Sequence, residues 1–139
     1  VADPVRGWKE LDRKLAALGD AQQVRKILRS SAGTAVTPVV QSARRNVPRG
    51  TRAHKTYKGR LVAPGFASRS IKKRVKIVGG SIVAYVGVRK EAFYALFFEG
   101  GTQYMRAQPW LEPALKDNKA KVLQRFGDGI EKWIRKVAR

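Results

Sequence analysis

Residues 71–88 read IKKRVKIVGGSIVAYVGV, two strand-like runs joined through Gly79-Gly80. Ile71, Val75 and Ile77 alternate with Lys72, Arg74 and Lys76, which is the two-residue period of a strand with one face toward a core. Lys73 interrupts the apolar side. Gly79 and Gly80 then supply the positive backbone angles that a tight hairpin turn demands. Residues 82–88 carry apolar side chains on both faces, so the second strand is expected to be the more deeply buried. An isolated hairpin is marginally stable in water, and the flanking segments must cover it.

Upstream, the apolar positions change to helical spacing. Trp8, Leu11, Leu15 and Leu18 predict a short amphipathic helix over about 5–18, stopped at Gly19. Asp20 and Gln23 form a capping-box pattern, and Val24, Ile27 and Leu28 open a second apolar stripe. That stripe continues through Ala32, Ala35, Val36, Val39, Val40 and Ala43 to Val47. Pro38 lies inside it and removes a backbone donor, which predicts a kink or restart near Thr37, and Pro48 ends the element.

Downstream, residues 91–99 read as a short helix with Phe93, Leu96 and Phe97 on one side and Tyr94 and Phe98 on another. A helix apolar all round must be covered everywhere, by its own fold or by a neighbouring subunit. Gly100 and Gly101 close it, a loop follows over 102–106, and Gln108-Pro109 opens a further helix. Its stripe is Trp110, Leu111, Ala114, Leu115, Val122, Leu123 and Phe126. Gly127 and Gly129 around Asp128 predict a break before a last amphipathic turn or two bearing Ile130, Trp133, Ile134 and Val137. The expected architecture is a single α+β domain over 1–139, an antiparallel β-hairpin or small sheet packed against a long N-terminal helix and C-terminal helices.

Composition supports a folded domain, since 43% of residues are apolar and twelve are aromatic, against 29% charged. Without cysteine there is no disulfide framework, thiolate metal site or thiol nucleophile. No apolar run reaches bilayer length and the N-terminus lacks a signal-peptide layout, which predicts a soluble intracellular product with no membrane partner.

Charge is more informative. Thirty basic residues against ten acidic give a net +20, and between Asp20 and Glu91 there are seventeen basic residues and no acid. Such a field calls for a polyanion or an acidic protein surface, the alternative being a merely solvated basic face. Residues 49–60, RGTRAHKTYKGR, contribute Arg49, Arg52, Lys55, Lys58 and Arg60, with Tyr57 as the one large apolar group. This loop, extending to about residue 66 through a turn at Pro64-Gly65, is expected to be mobile unless a partner holds it.

Catalytic groups are sparse. His54 is the only histidine, no zinc-ligand spacing, phosphate-binding glycine loop or serine elbow is present, and no acidic metal ligands flank His54. Glu99 and Glu112 sit beside helix ends, where salt bridges to nearby cations are the expected role. No catalytic, cofactor-binding or metal residue is assigned, and the chain is read as a non-enzyme.

Residues 93–115, FYALFFEGGTQYMRAQPWLEPAL, carry the most specific pattern. They resemble a phage neck and tail-completion family, the minor tail-component group of long-tailed bacteriophages. Its Tyr-Ala-x-Phe-x-Glu-x-Gly-Thr run is matched by Tyr94, Ala95, Phe97, Glu99, Gly101 and Thr102. Its Ala-x-Pro-Phe-Leu-x-Pro-Ala-Leu run is matched by Ala107, Pro109, Trp110, Leu111, Pro113, Ala114 and Leu115. Weaker likeness extends upstream, where Arg69-Ser70-Ile71 opens the first strand, while the basic stretch from about Thr51 to Phe66 replaces a compact turn of the family.

The resemblance implies a structural virion protein at the head-tail junction, assembled in the host cytoplasm. It implies a homo-oligomeric ring of roughly six or twelve copies around the DNA channel, docking portal-side connector proteins to the tail tube or tail terminator. Phe93, Tyr94, Phe97, Phe98 and Trp110 are the candidates for core or subunit contact. The five basic loop residues are candidates for contact with an acidic neighbouring ring or with the phosphate backbone of double-stranded DNA. A brake on a genome that must leave quickly favours the protein partner. Two rival readings stand beside this one: a free sequence-independent nucleic-acid-binding protein, suggested by the net charge, and a small nuclease.

Overall fold

The computed structural model describes residues 21–137, so the helix expected over 5–18 lies outside the described residues. Helix α1 (Ala21–Ala35) and helix α2 (Thr37–Asn46) are one apolar stripe bent at Val36, as Pro38 in the first turn of α2 requires. The stripe faces inward, with Ala35, Val39, Ala43 and Val47 all essentially inaccessible. Val47 turns to extended backbone ahead of Pro48 and ends α2.

The basic stretch that follows is not bare loop. Strands β1 (His54–Lys55) and β2 (Leu61–Val62) form a two-residue antiparallel ladder closed over a turn in which Gly59 N–H donates to the Thr56 carbonyl at 2.8 Å. Interior anchors explain why a segment so poor in large apolar residues orders itself: Thr56 and Val62 are buried, and the His54 ring packs edge-on against Tyr94 at 5.3 Å. Gly65, at φ 83°, then turns the chain into the short helix α3 (Phe66–Arg69).

Strands β3 (Ile71–Val78) and β4 (Ser81–Val88) pair in continuous antiparallel register from Ile71↔Val88 to Val78↔Ser81. Gly79 and Gly80 have φ of 55° and 79°, the two positive angles of a type I′ turn. Ile71, Val75 and Ile77 share the inner face with Ala84, Val86 and Val88. Lys73 also points inward, and its ammonium donates to the Gly33 carbonyl at 2.6 Å and to Thr37 Oγ1 at 2.9 Å, at the bend between α1 and α2. Strand β4 is half-buried rather than deeply buried, and the one buried residue of the β3–β4 hairpin is Ile71. The hairpin is a two-stranded layer, and nothing among the described residues forms a second cover over its outer face.

Helix α5 (Leu111–Val137) runs unbroken through Gly127-Asp128-Gly129, where a break was expected. Tertiary packing decides against the local propensity. A Cβ at Gly129 would lie 3.1 Å from Ser31 Oγ, so glycine there lets α1 and α5 approach closely, and Ile130 beside it is fully buried. The kinked α1–α2 element meets both the hairpin and α5. The main core joins Val39, Val40, Ala43 and Val47 of this element to Ile71, Ala95, Trp110 and Ala114, and a smaller cluster of Val62, Phe66 and Ala92 seats the basic ladder.

Candidate functional site

The residues from 90 to 115 build a rigid corner. A single 3-10 turn over Lys90–Ala92 leads into helix α4 (Ala95–Gly100), so the helix expected over 91–99 is tighter at its start than foreseen. Trp110 is fully buried, and its indole Nε1–H donates to the Ala95 carbonyl at 2.7 Å. Trp110 is therefore part of the core.

Glu99 is the keystone of the corner. Its carboxylate accepts the backbone N–H of Trp110 at 2.6 Å, of Leu111 at 2.8 Å and of Glu112 at 2.9 Å, which are donors that open α5 without intrahelical partners. Among the described residues Glu99 and Glu112 make no salt bridge, and the ion pairs there are Arg60–Glu91 and Arg135–Glu131. Partial burial pushes the Glu99 carboxyl up, but the three N–H donors outweigh it and hold the carboxyl below its ordinary value. Pro113 in the first turn of α5 is tolerated because its missing N–H is one such unpaired donor.

Of the two glycines that close α4, Gly101 permits a close approach of the following loop and Gly100 does not. Gly101 has φ 72°, and a Cβ there would sit 2.8 Å from Ala107 N, whereas a Cβ at Gly100 meets nothing within 4 Å. The loop between them and α5 is pinned by the Thr102↔Met105 bridge and by Gln108 N–H on the Phe98 carbonyl at 2.6 Å.

This corner sorts the aromatic residues as the helical spacing predicts. Tyr94 and Phe98 turn inward against the core, ring edge to ring face at 6.5 Å, and burial pushes the Tyr94 phenol up against the opposing influence of Arg69. Phe93, Leu96 and Phe97 turn outward and remain 46, 55 and 48% exposed. Tyr57 of the basic ladder stacks edge-on against Phe93 at 6.1 Å, and Phe93 against Phe97 at 5.9 Å, giving an apolar ridge on the surface. Nothing among the described residues covers this side of the helix.

On another side of α4, an open apolar groove of about 680 Å³ lies between the start of α2, the inner face of β4 and α5. Val36, Val39, Ala84, Val86, Leu115 and Leu123 line it, and Glu99, Glu112, Lys116 and Lys119 rim it. Spacing alone gave no sign of this groove, because it arises where the hairpin and α5 diverge.

The five basic loop residues are all exposed, but two are engaged with the fold. Arg60 pairs with Glu91 at 3.4 Å and lies over the Phe66 ring at 5.4 Å, and Lys58 lies over the Tyr57 ring at 5.8 Å. Arg49, Arg52 and Lys55 have no such partner among the described residues. His54 is packed between aromatic rings, and among the described residues no group of three or more His, Cys, Asp or Glu could hold a metal. No described helix is long and apolar enough to cross a membrane.

Comparison with known families adds one finding. Residues 9–101 match the family model described as "Bacteriophage HK97-gp10, putative tail-component". The match takes in α1, α2, both hairpins and α4, so it covers the upstream region where likeness was expected to be weak and ends before the second half of the 93–115 pattern. Searches of curated proteins and of solved structures return no match. With two thirds of its length inside that family model, the chain belongs to the HK97-gp10-like family of bacteriophage tail components.

Proposed function

We propose that this tail component is a structural virion protein that closes into a ring at the head-tail junction and joins the connector to the tail around the DNA channel. The observation that carries the reading is the ridge of Phe93, Leu96 and Phe97, held outward by a corner whose Glu99 carboxylate and Trp110 indole are both bonded internally. Fully burying one such side chain contributes about 1.5–3 kcal/mol, so three half-exposed ones retain a few kcal/mol for a partner. A closed ring is joined head to tail and needs two different complementary patches. The ridge is one, convex and apolar; the groove beside α5 is the other, concave and apolar, and we assign its occupant to the ridge of the next copy. The basic loop, with Arg49, Arg52 and Lys55 uncommitted, then docks an acidic face of an adjoining ring.

Phe97→Asp and Leu96→Asp test this. Both residues are exposed, so the circular dichroism spectrum and melting temperature should stay near wild type while light scattering shows the ring replaced by monomer. Unchanged assembly mass in both variants would overturn the assignment. Phe98→Asp is the poorer probe, because Phe98 packs on the core and its loss endangers the fold. Wild-type protein that stays monomeric while binding nucleic acid tightly would instead support the free nucleic-acid-binding reading that its net charge of +20 suggests.

A further inference from the structure

The basic loop is not the most regular cationic surface of the molecule. Lys72, Arg74 and Lys76 share the outer face of the β3–β4 hairpin, paired across the ladder with Gly87, Tyr85 and Val83. All three are exposed, and none has an ion-pair partner among the described residues. Strands β3 and β4 contain no acidic residue. Packing does not explain this charge, since the opposite face alone supplies the core contacts of the hairpin. Arg60 and Lys58 of the loop, by contrast, are tied to Glu91, Phe66 and Tyr57.

We infer that the outer face of the β3–β4 hairpin is a contact surface for the phosphate backbone of double-stranded DNA. Residues two apart on a strand are about 6.6–6.8 Å apart. Each phosphate of one DNA strand advances about 3.4 Å along the axis and is also turned around it, which sets successive phosphates roughly 7 Å apart through space, so three cations in line match successive phosphates. The outer face carries Lys72, Arg74, Lys76 and Val78 on one strand and Gly87, Tyr85, Val83 and Ser81 on the other. Lys72, Arg74 and Lys76, set on a phosphate repeat, hold the backbone, which carries no sequence information directly. Contacts of that kind exchange one phosphate for an equivalent one and let DNA slide, which answers the objection that a phosphate grip would brake the genome. Tyr85, half exposed beside Arg74, adds a hydroxyl donor to the same surface. The inference rests on the reading that DNA passes this protein, and it places the DNA surface on the hairpin and leaves the loop to a protein neighbour.

The test measures binding of the full chain to a short mixed-sequence DNA duplex by fluorescence anisotropy across a salt series. It compares wild type, the variant Lys72→Gln/Arg74→Gln/Lys76→Gln, and the variant Arg49→Gln/Arg52→Gln/Lys55→Gln, each checked for native circular dichroism. Losing three phosphate contacts should lower the slope of log affinity against log salt by about 2.7. Between about 50 and 200 mM salt the hairpin variant should therefore lose roughly 40-fold less affinity than wild type, having started weaker. The loop variant should keep the wild-type slope. A wild-type slope in the hairpin variant, or a reduced slope in the loop variant alone, overturns the inference. So does a wild-type chain with no salt-dependent binding to DNA. Light scattering on the same samples reports the ring separately, so a failed DNA surface and a failed ring are told apart. Retained DNA affinity with lost binding to polyglutamate in the hairpin variant would assign the surface to an acidic protein and likewise overturn it.

Discussion

Glu99→Ala removes one side chain that accepts three backbone N–H groups at the start of α5, at 2.6, 2.8 and 2.9 Å. Loss of an ordinary helix cap costs about 0.5–2 kcal/mol, and a hydrogen bond to a charged group contributes about 1.5–3 kcal/mol. The three donors do not fare alike once the carboxylate is gone. Glu112 is exposed and Leu111 half-exposed, so water can reach their N–H groups, whereas Trp110 is fully buried and its donor is left orphaned. An orphaned buried donor costs about 1–3 kcal/mol, which sets the total near 2–3 kcal/mol with the cap term included. For a domain of this size that corresponds to a drop in Tm of roughly 6–12 °C. Glu99→Gln keeps an acceptor oxygen but turns an amide donor toward the same N–H groups, and should fall between the two.

The same substitution has a pH signature. The folded-state carboxyl lies below its ordinary value, so its contribution is fully present above the unfolded-state pKa and is lost as pH falls through the folded-state pKa. Melting curves collected from neutral to acidic pH should show the gap between wild type and Glu99→Ala widest near neutrality and closing below the ordinary glutamate range. A gap that is small at neutrality, or that stays constant into acid, would refute the capping argument.

Other substitutions follow from the glycines. Gly127→Ala places a methyl group where nothing lies within 4 Å, and should raise stability by about 0.5–1 kcal/mol in denaturant titration. Gly129→Val drives a branched side chain into Ser31, 3.1 Å from the ideal Cβ position, and should lower stability by about 1–3 kcal/mol in the same assay. Gly101→Ala combines a φ of 72° with a 2.8 Å clash against backbone, and should lower the yield of folded protein more than any single ridge substitution.

Legibility of the fold in the sequence follows the range of the interactions. The hairpin turn and the bend at Val36 were readable because Gly79-Gly80 and Pro38 act on their own backbone. Continuity of α5 was not, because the packing that keeps Gly129 helical comes from Ser31, far away in sequence. The two-residue ladder in the basic stretch was missed for the same reason: its anchors, Phe66, Tyr94 and Glu91, belong to other elements. At the site, helical angle alone separated Phe93, Leu96 and Phe97 from Tyr94 and Phe98. The burial of Trp110 and the role of Glu99 depend on two helices meeting across a loop, which periodicity within either helix does not encode.

The inward ammonium of Lys73 has a consequence for how the chain finds its pairing. If β3 slipped by one residue, Lys72, Arg74 and Lys76 would be driven into the apolar layer and Ile71, Val75 and Ile77 would be stranded in water, whereas the bend at Gly33 would still meet a cation, Lys72 or Arg74. The three apolar residues of β3 therefore hold the alignment of strand on helix, while the run of basic residues around Lys73 keeps a cation at the bend whichever way the strand is tried.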